Sequence, residues 1–567
     1  MNLMFKITLF ICKTVMLILR LLKRGGTSLP GKIALKIYPR FAGIIAEKFK
    51  IIMVTGTNGK TTTTKAIGEI LQKNNIKYIA NRSGANLPGG IISTFIESVP
   101  LSGKCPYSTA VLEIDDAAFA LISNFIEPDI LVVTNFFNDQ LDRYGSIYKI
   151  VDNVKKGIKN LNKTILVLNG DDPLCASLGK VYDGRKIYYG FDVNALAGFI
   201  NKGDGTTVKD KTGEMAVKGE MAALVIDESD EATVKGKPCE ASKEDETGET
   251  PVKNKSGTVL VEDEPSETSV KNRTGEKPVK DETGGAMYCI FCNNKFTYQS
   301  RTYEHFGWFR CDNCGFERPF AEVVCTYVRE MKASYTIMDF EVTTQGMHAS
   351  SPENGTGLEA LSTGMTKYEK KALKHTAKIN LPGLYNVYNA LASIACGQAL
   401  SLPLENTVAA LSECECSFGR METIKADDKL IKVILVKNPA GLNQVLNFLL
   451  SEEKEFVLAF AINDKLADGT DISWLWDVDF EILSEIENKI SKFYVSGTRA
   501  EDVALRLKYG GIDPGRISIM KDYGLLLDNG LSKTNAGNCF YILPNYSAML
   551  DIRSILRKKF GLREFWK

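Results

Sequence analysis

The stretch IIMVTGTNGKTTTTKAIGEIL (51–71) holds an apolar run, a glycine-bearing turn and a helical pattern in direct succession. That order predicts a buried strand, a tight loop and a helix starting near Lys60. Glycines let backbone N–H groups approach phosphate oxygens closely, and the helix that follows adds its positive end. Thr57, Asn58, Gly59, Lys60, Thr61 and Thr62 are therefore the candidate phosphate cradle of a nucleotide. Lys60 would neutralise β- and γ-phosphate charge, and the Thr61 hydroxyl would meet Mg²⁺. The spacing departs from the general phosphate-loop pattern at its first glycine, where Val54 stands.

Outward from this loop, residues 51–200 alternate short β-rich runs with helical patterns: IIMVTG, STAVLEID, DILVVTNF and KTILVLNG, each closing on polar or glycine residues. Such alternation predicts an α/β fold with a parallel sheet and helices on its faces. Ligands gather beyond the carboxyl ends of such strands. A chain of 567 residues exceeds a single core and divides into domains. From about 424 onward the runs IKVILVKN, FVLAFAIN, KFYVSG and CFYILPNY predict a second, separate α/β domain. The domain reading is thus an amino-terminal segment over 1–50, a nucleotide-binding central domain over 51–423, and a carboxy-terminal domain over 424–567. A net charge of +1 gives no global footprint for nucleic acid, which is not expected as a partner.

Three segments depart from this plan. The start, MNLMFKITLFICKTVMLILRLLKRGG, is apolar and basic, with Lys6, Lys13 and Arg20 recurring every seven residues. The recurrence predicts an amphipathic helix, packed on the protein body or lying on a membrane surface, rather than a membrane span. Over 201–286 a degenerate repeat recurs as TVKDKTGE, PVKNKSGT, SVKNRTGE and PVKDETGG, rich in charge and free of aromatics. It predicts an expanded, disordered insertion. A second surface insertion is expected over 345–375.

Thirteen cysteines include two CxxC pairs, Cys289 and Cys292 followed by Cys311 and Cys314. Two knuckles at this spacing predict a zinc ribbon over 287–320 closing on one structural, four-thiolate Zn²⁺.

GTNGKTTT resembles the ATP-dependent Mur ligases and folylpolyglutamate synthetase. VLEID (111–115), LNGDDP (168–173), GLYNVYNALAS (383–393) and FGRMETI (418–424) match that superfamily in order. The resemblance implies that Glu113 holds Mg²⁺ with Thr61, that Asn386 and Asn389 lie near the adenine, and that Arg420 meets charge in the phosphoryl-transfer state. It also implies the chemistry: a carboxylate takes the γ-phosphoryl group of ATP, and an amine attacks the resulting acyl phosphate.

Two motifs depart from the usual Mur pattern. TNFFNDQLDRYG (134–145) carries Gln140, and VKNPAG (436–441) carries Lys437, at positions where those ligases usually have histidine. The ribbon, DQLDRYG and INDKLADGTDISWLWDVDFE (462–481) together resemble the MurT family. These are ligase subunits of lipid II isoglutaminyl synthase, partnered by a GatD-type glutaminase. The resemblance implies ATP-dependent amidation of the α-carboxylate of D-glutamate in the lipid II stem peptide, with ammonia drawn from glutamine by the partner. It would act in the cytoplasm at the inner membrane face, in peptidoglycan synthesis.

The chain has three histidines, His305, His348 and His375, and none after position 375. It is therefore not expected to hydrolyse glutamine by its own Cys–His pair. In the family an aspartate of the carboxy-terminal domain is thought to approach the partner's pair. Asp464, Asp468, Asp471 and Asp477 are the candidates, against the alternative of a solvated acidic loop. A stand-alone ligase adding an amino acid to a carboxylate, and a nucleotide-dependent binding protein, are the competing readings.

Overall fold

The computed structural model describes residues 3–22, 28–81, 85–102, 105–137, 147–196, 207–209, 215–217, 286–332, 335–345, 370–381, 383–414 and 420–562. The first sheet is built from β1 (Lys50–Thr55), β2 (Tyr78–Ala80), β3 (Thr109–Glu113), β4 (Ile130–Val133), β5 (Ile165–Asn169) and β6 (Lys186–Phe191). These strands run parallel, each central one buried along almost its whole length. Helices cover both faces, which is why the strands read as continuous apolar runs.

One face is packed by the helices Pro88–Ser98, Asp116–Ile122 and Ile147–Ile158, and the other by Lys60–Lys73 and Leu384–Ala399. The order in the sheet places β1 between β3 and β4. The carboxyl ends of those three strands therefore converge on the loop after Thr55.

The amino-terminal segment is not a separate unit. It forms the helices Leu3–Leu21, Leu29–Ile37 and Phe41–Ala46. Phe5, Leu9, Cys12, Ala34 and Phe41 are fully buried in the same core as Met53 and Leu112. The expectation of packing on the body holds for one face of the first helix.

Most of the 201–286 insertion lies outside the described residues. Within it, β7 (Thr207–Lys209) and β8 (Met215–Val217) form a small antiparallel pair. The chain returns through the ribbon strands β9 (Thr297–Tyr303) and β10 (Phe306–Arg310), then through β11 (Val323–Met331) and β12 (Thr336–Gln345). β11 pairs parallel with β6, so the insertion and ribbon occupy one crossover between neighbouring strands.

The second insertion, expected over 345–375, is narrower than that. β13 (Lys370–Ile379) pairs antiparallel with β12 from Gln345↔Lys370 to Thr336↔Ile379, and 346–369 lie outside the described residues. β13 is the sheet edge, and lysines suit an edge strand that must not recruit another.

Asp171 of the LNGDDP motif ties these layers together. It is fully buried and accepts from Arg318 Nε at 2.6 Å, Tyr388 Oη at 2.8 Å and Phe191 N at 2.8 Å. Burial pushes its carboxyl up, and the Arg318 guanidinium works in the opposite direction. Arg318 lies at the end of the ribbon, 4.3 Å from the Trp308 ring centre. The neighbouring Asp172 caps the helix Pro173–Leu178 and holds Phe136 N at 2.9 Å.

The second sheet contains β14 (Arg420–Ala426), β15 (Lys429–Ile434), β16 (Phe456–Ala461), β17 (Ile490–Ser496), β18 (Ile517–Ile519) and β19 (Cys539–Pro544). Its order is β14-β15-β19-β16-β17-β18, parallel except for β14. This domain opens in strand at Arg420, so the expected boundary at 424 falls inside β14. The α/β class with a separate carboxy-terminal domain is as the sequence predicts.

Candidate active site at the phosphate loop

Gly56 and Gly59 take φ of +124° and +81°, backbone that L side chains rarely adopt. A Cβ on Gly59 would sit 2.1 Å from Asn389 Oδ1, and one on Gly56 2.2 Å from Thr134 Oγ1. Both glycines are thus required by close approach as well as by conformation.

The loop is fastened from three sides. Thr134 Oγ1 donates to Asn58 O at 2.7 Å, and Asn135 Oδ1 accepts from Asn58 N at 2.9 Å, both at the end of β4. Asp116 Oδ1 accepts from Thr55 Oγ1 at 2.6 Å and from Gly56 N at 2.5 Å. Burial pushes the Asp116 carboxyl up, opposed by the nearby Lys60 ammonium. From the other domain, Lys437 Nζ donates to Thr57 O at 3.4 Å and Asn438 Nδ2 to Asn58 Oδ1 at 3.3 Å. Asn438 also caps the helix Pro439–Leu450.

Thr61 and Glu113, the two residues expected to hold Mg²⁺, are in contact. Thr61 Oγ1 donates to Glu113 Oε2 at 2.8 Å. Glu113 ends β3, is nearly buried, and is held by Asn81 through two backbone contacts of 2.8 and 2.9 Å. Two hard oxygen donors beside a phosphate cradle suit Mg²⁺, which keeps few protein ligands. Lys60 Nζ folds back over the loop, donating to Thr57 O at 3.2 Å and to Gly56 O.

Thr62 and Thr63 start the helix in buried positions. Asn389 lies against the loop, accepting from Thr63 Oγ1 at 3.4 Å and donating to Asn386 Oδ1 at 3.1 Å. Arg420 is placed by its backbone at the opening of β14, and its side chain lies outside the described structure. Gln140 and DQLDRYG also fall outside the described residues.

Beside the loop lies a cleft open to solvent. Asn58, Gly59 and Asn389 line its end at the glycine loop, Tyr303, Tyr385 and Tyr388 supply aromatic wall, and Ile434, Leu435 and Val445 come from the carboxy-terminal domain. Tyr303 Oη donates to Ala440 O at 2.8 Å, so the ribbon's hairpin touches the second domain. A flat apolar wall, a row of N–H donors, a cation and a carboxylate–hydroxyl pair can bind a nucleoside triphosphate and stabilise phosphoryl transfer. Asp116, Thr134, Asn135 and the loop contacts of Lys437 and Asn438 are the parts that sequence reasoning did not assign.

Cys289, Cys292, Cys311 and Cys314 converge with all four sulfurs within 4.8 Å of one another. The pairs 289–314 and 292–311 are 3.5 and 3.3 Å apart. Tetrahedral bonds of about 2.3 Å to zinc set sulfur–sulfur edges near 3.8 Å, so this cluster could bind zinc with modest expansion. The knuckles turn at Asn293 and Gly315, both with positive φ.

The four candidate aspartates do not share one environment. Asp464 accepts from Thr498 Oγ1 at 2.7 Å and Arg499 Nε at 3.0 Å, and the Thr498 hydroxyl is the main cause of its lowered pKa. Asp468 accepts from Ser547 N and Oγ at 2.7 and 2.5 Å. Asp471 receives Ser473 N at 2.8 Å, and Asp477 is pushed up by burial and by Asp471. Asp471 and Asp477 are exposed, beside Leu466 and Trp476, 83 % and 54 % exposed. Of the histidines, His305 is fully buried 3.4 Å from Asp172 Oδ1, His375 stacks on Phe340, and His348 lies outside the described residues.

The Mur ligase middle domain family matches residues 54–223, and the MurT ligase C-terminal family matches 435–549. The subunit MurT of lipid II isoglutaminyl synthase (glutamine-hydrolyzing) from Streptococcus pneumoniae is 27% identical, covering 99% of this chain and 98% of its own. The subunit of the same name from Staphylococcus aureus (strain COL) is 28% identical over 95% of each chain. Among solved structures, MurF from Acinetobacter baumannii superposes with a TM-score of 0.53 at 13% identity, over 92% of this chain and 80% of that one, and shows the fold alone. Two matched domains in the right order, joined by near full-length similarity, place the chain in the MurT family of Mur-type ligases.

Proposed function

We propose that this chain is the ATP-dependent synthetase subunit of a lipid II isoglutaminyl synthase, amidating the α-carboxylate of D-glutamate in the stem peptide. The observation that carries the reading is the Thr61–Glu113 pair beside the Lys60 loop, inside a chain similar to MurT along its length. ATP and Mg²⁺ supply the phosphoryl group and its charge neutralisation. Thr61 and Glu113 would hold the metal, Lys60 and the N–H groups of 59–61 the phosphates, and Asn389 the loop's shape. Asn386 and Arg420 are the remaining candidates, at the adenine and at the transferring phosphate.

The acceptor carboxylate attacks the γ-phosphorus, releasing ADP and forming an acyl phosphate. Ammonia then attacks the acyl carbon, inorganic phosphate leaves with the C–O bond pair, and a proton passes to solvent. Activation is needed because a free carboxylate resists nucleophiles.

Ammonia would come from a GatD-type glutaminase, since nothing after His375 can supply an imidazole. Asp464 and Asp468 are half-buried and tied to side chains of their own domain, whereas Asp471, held by Ser473 N in its own turn, and Asp477 are exposed near Trp476 and are the carboxylates best offered to a partner's histidine. A partner aspartate would orient that ring. The experiment compares amidation by the purified chain with ammonium, with glutamine, and with glutamine plus the glutaminase. Activity in the first and third arms alone is expected. Incorporation of an amino acid without any glutaminase would contradict the reading.

Zn²⁺ in the ribbon would be structural, because four thiolates leave no open position. Stripping it is expected to cost at least about 2 kcal/mol of unfolding free energy. Emission spectroscopy for metal content, with urea unfolding before and after chelation, checks this.

A further inference from the structure

Among the described residues no helix is long and apolar enough to cross a membrane, yet the first helix is apolar on two faces. Phe5, Leu9 and Cys12 point into the core. On the opposite side Leu3, Ile7, Phe10, Leu17 and Leu21 follow one another at steps of three, four or seven residues and are exposed. Leu3, Phe10, Leu17 and Leu21 are 70 %, 60 %, 58 % and 75 % exposed. A stripe of this length is unusual on a water-facing helix and marks an interaction surface.

The charge around it selects the occupant. Eight Lys and Arg residues and no Asp or Glu precede Glu47, in a chain whose net charge is only +1. Lys6, Lys13 and Arg20 flank the stripe along one edge. Lys13 and Arg20 lean on Glu97 (Arg20 Nη2 to Glu97 Oε1, 2.6 Å), while Lys6 is exposed. The next helix, joined through Cys12 Sγ and Pro30 O at 3.4 Å, adds exposed Leu29, Lys32, Lys36 and Ile37. Apolar side chains bordered by cations, with Glu97 offsetting part of the charge at Arg20, fit an anionic lipid surface, where the ring and aliphatic groups enter the acyl boundary and the cations meet headgroups.

We infer that the first helix, through Leu3, Ile7, Phe10, Leu17 and Leu21 with its flanking basic residues, docks this protein on an anionic membrane. The inference depends on the proposed function only for its purpose, bringing the active site to a lipid-linked acceptor. The acidic stretch 464–477 lacks this charge match.

The test is sedimentation of the full chain with vesicles of phosphatidylcholine alone and with added phosphatidylglycerol. Binding is expected to the anionic vesicles, weakening as salt rises, and to fall at least about tenfold in a Phe10→Glu, Leu17→Glu double variant. Both positions are exposed, so the variant should keep its unfolding midpoint and nucleotide binding. Absence of binding to anionic vesicles, or equal binding by the variant, would overturn the inference. So would a concentration-dependent dimer abolished by the variant without vesicle binding, which would assign the stripe to a second copy of the chain. Vesicle binding is read without nucleotide or acceptor, so its failure is separable from failure of the ligase reading.

Discussion

Replacing Lys60 with alanine is expected to lower ATP-dependent turnover by about 10²–10³-fold while the fold survives. The lysine is the cation at the start of the phosphate-binding helix, and its ammonium reaches the Thr57 and Gly56 carbonyls. Those contacts are replaceable by solvent, because the loop is independently fastened by Thr134, Asn135 and Asp116. The charge is not replaceable, since phosphoryl transfer depends on positioned cations more than on any covalent role for the protein. Phosphate release in the presence of acceptor and ammonium measures the loss. Turnover within about threefold of the unaltered chain would remove Lys60 from the mechanism.

Arg318→Met is expected to destabilise the chain by about 3–5 kcal/mol, because it strands the Asp171 carboxylate in the core. Asp171 is fully buried, and it joins the parallel sheet, the ribbon's exit and the helix Leu384–Ala399 in one cluster. Removing both partners, as Asp171→Leu with Arg318→Met, should cost clearly less than the sum of the single variants. Urea unfolding of the three variants gives the coupling. A single-variant cost within about 1 kcal/mol would mean that water reaches the site and satisfies the carboxylate.

Much of this was legible in local sequence. The phosphate loop could be read because its glycines, lysine and threonine are consecutive, and structure adds that Gly56 and Gly59 are also forced by Thr134 and Asn389. Glu113 could be read because it ends an apolar strand, and the Thr61 contact follows from β3 lying beside β1. The ribbon could be read from spacing alone. Asp116, Thr134 and Asn135 could not be assigned, since their contact with the loop depends on which strands neighbour β1. Lys437 stands out as a departure from the Mur pattern in a stretch that otherwise resembles it, but the reach of Lys437 and Asn438 to Thr57 and Asn58 depends on how the two sheets face each other. β13 was hidden inside an expected insertion because an edge strand carrying five charged or imidazole side chains lacks the apolar alternation of a core strand. In the first helix the recurrence of Lys6, Lys13 and Arg20 every seven residues is the stronger local signal, and the exposed apolar stripe beside it stands out only once Phe5, Leu9 and Cys12 are placed in the core.

The measurement that tests the central claim most directly is the product mass of lipid II incubated with this chain, ATP, Mg²⁺ and ammonium. The account predicts replacement of one hydroxyl by an amino group on the stem peptide, at the α-carboxylate of D-glutamate, with one ADP formed per product. Unchanged lipid II alongside ADP release, or a product heavier by a whole amino-acid residue, would contradict it.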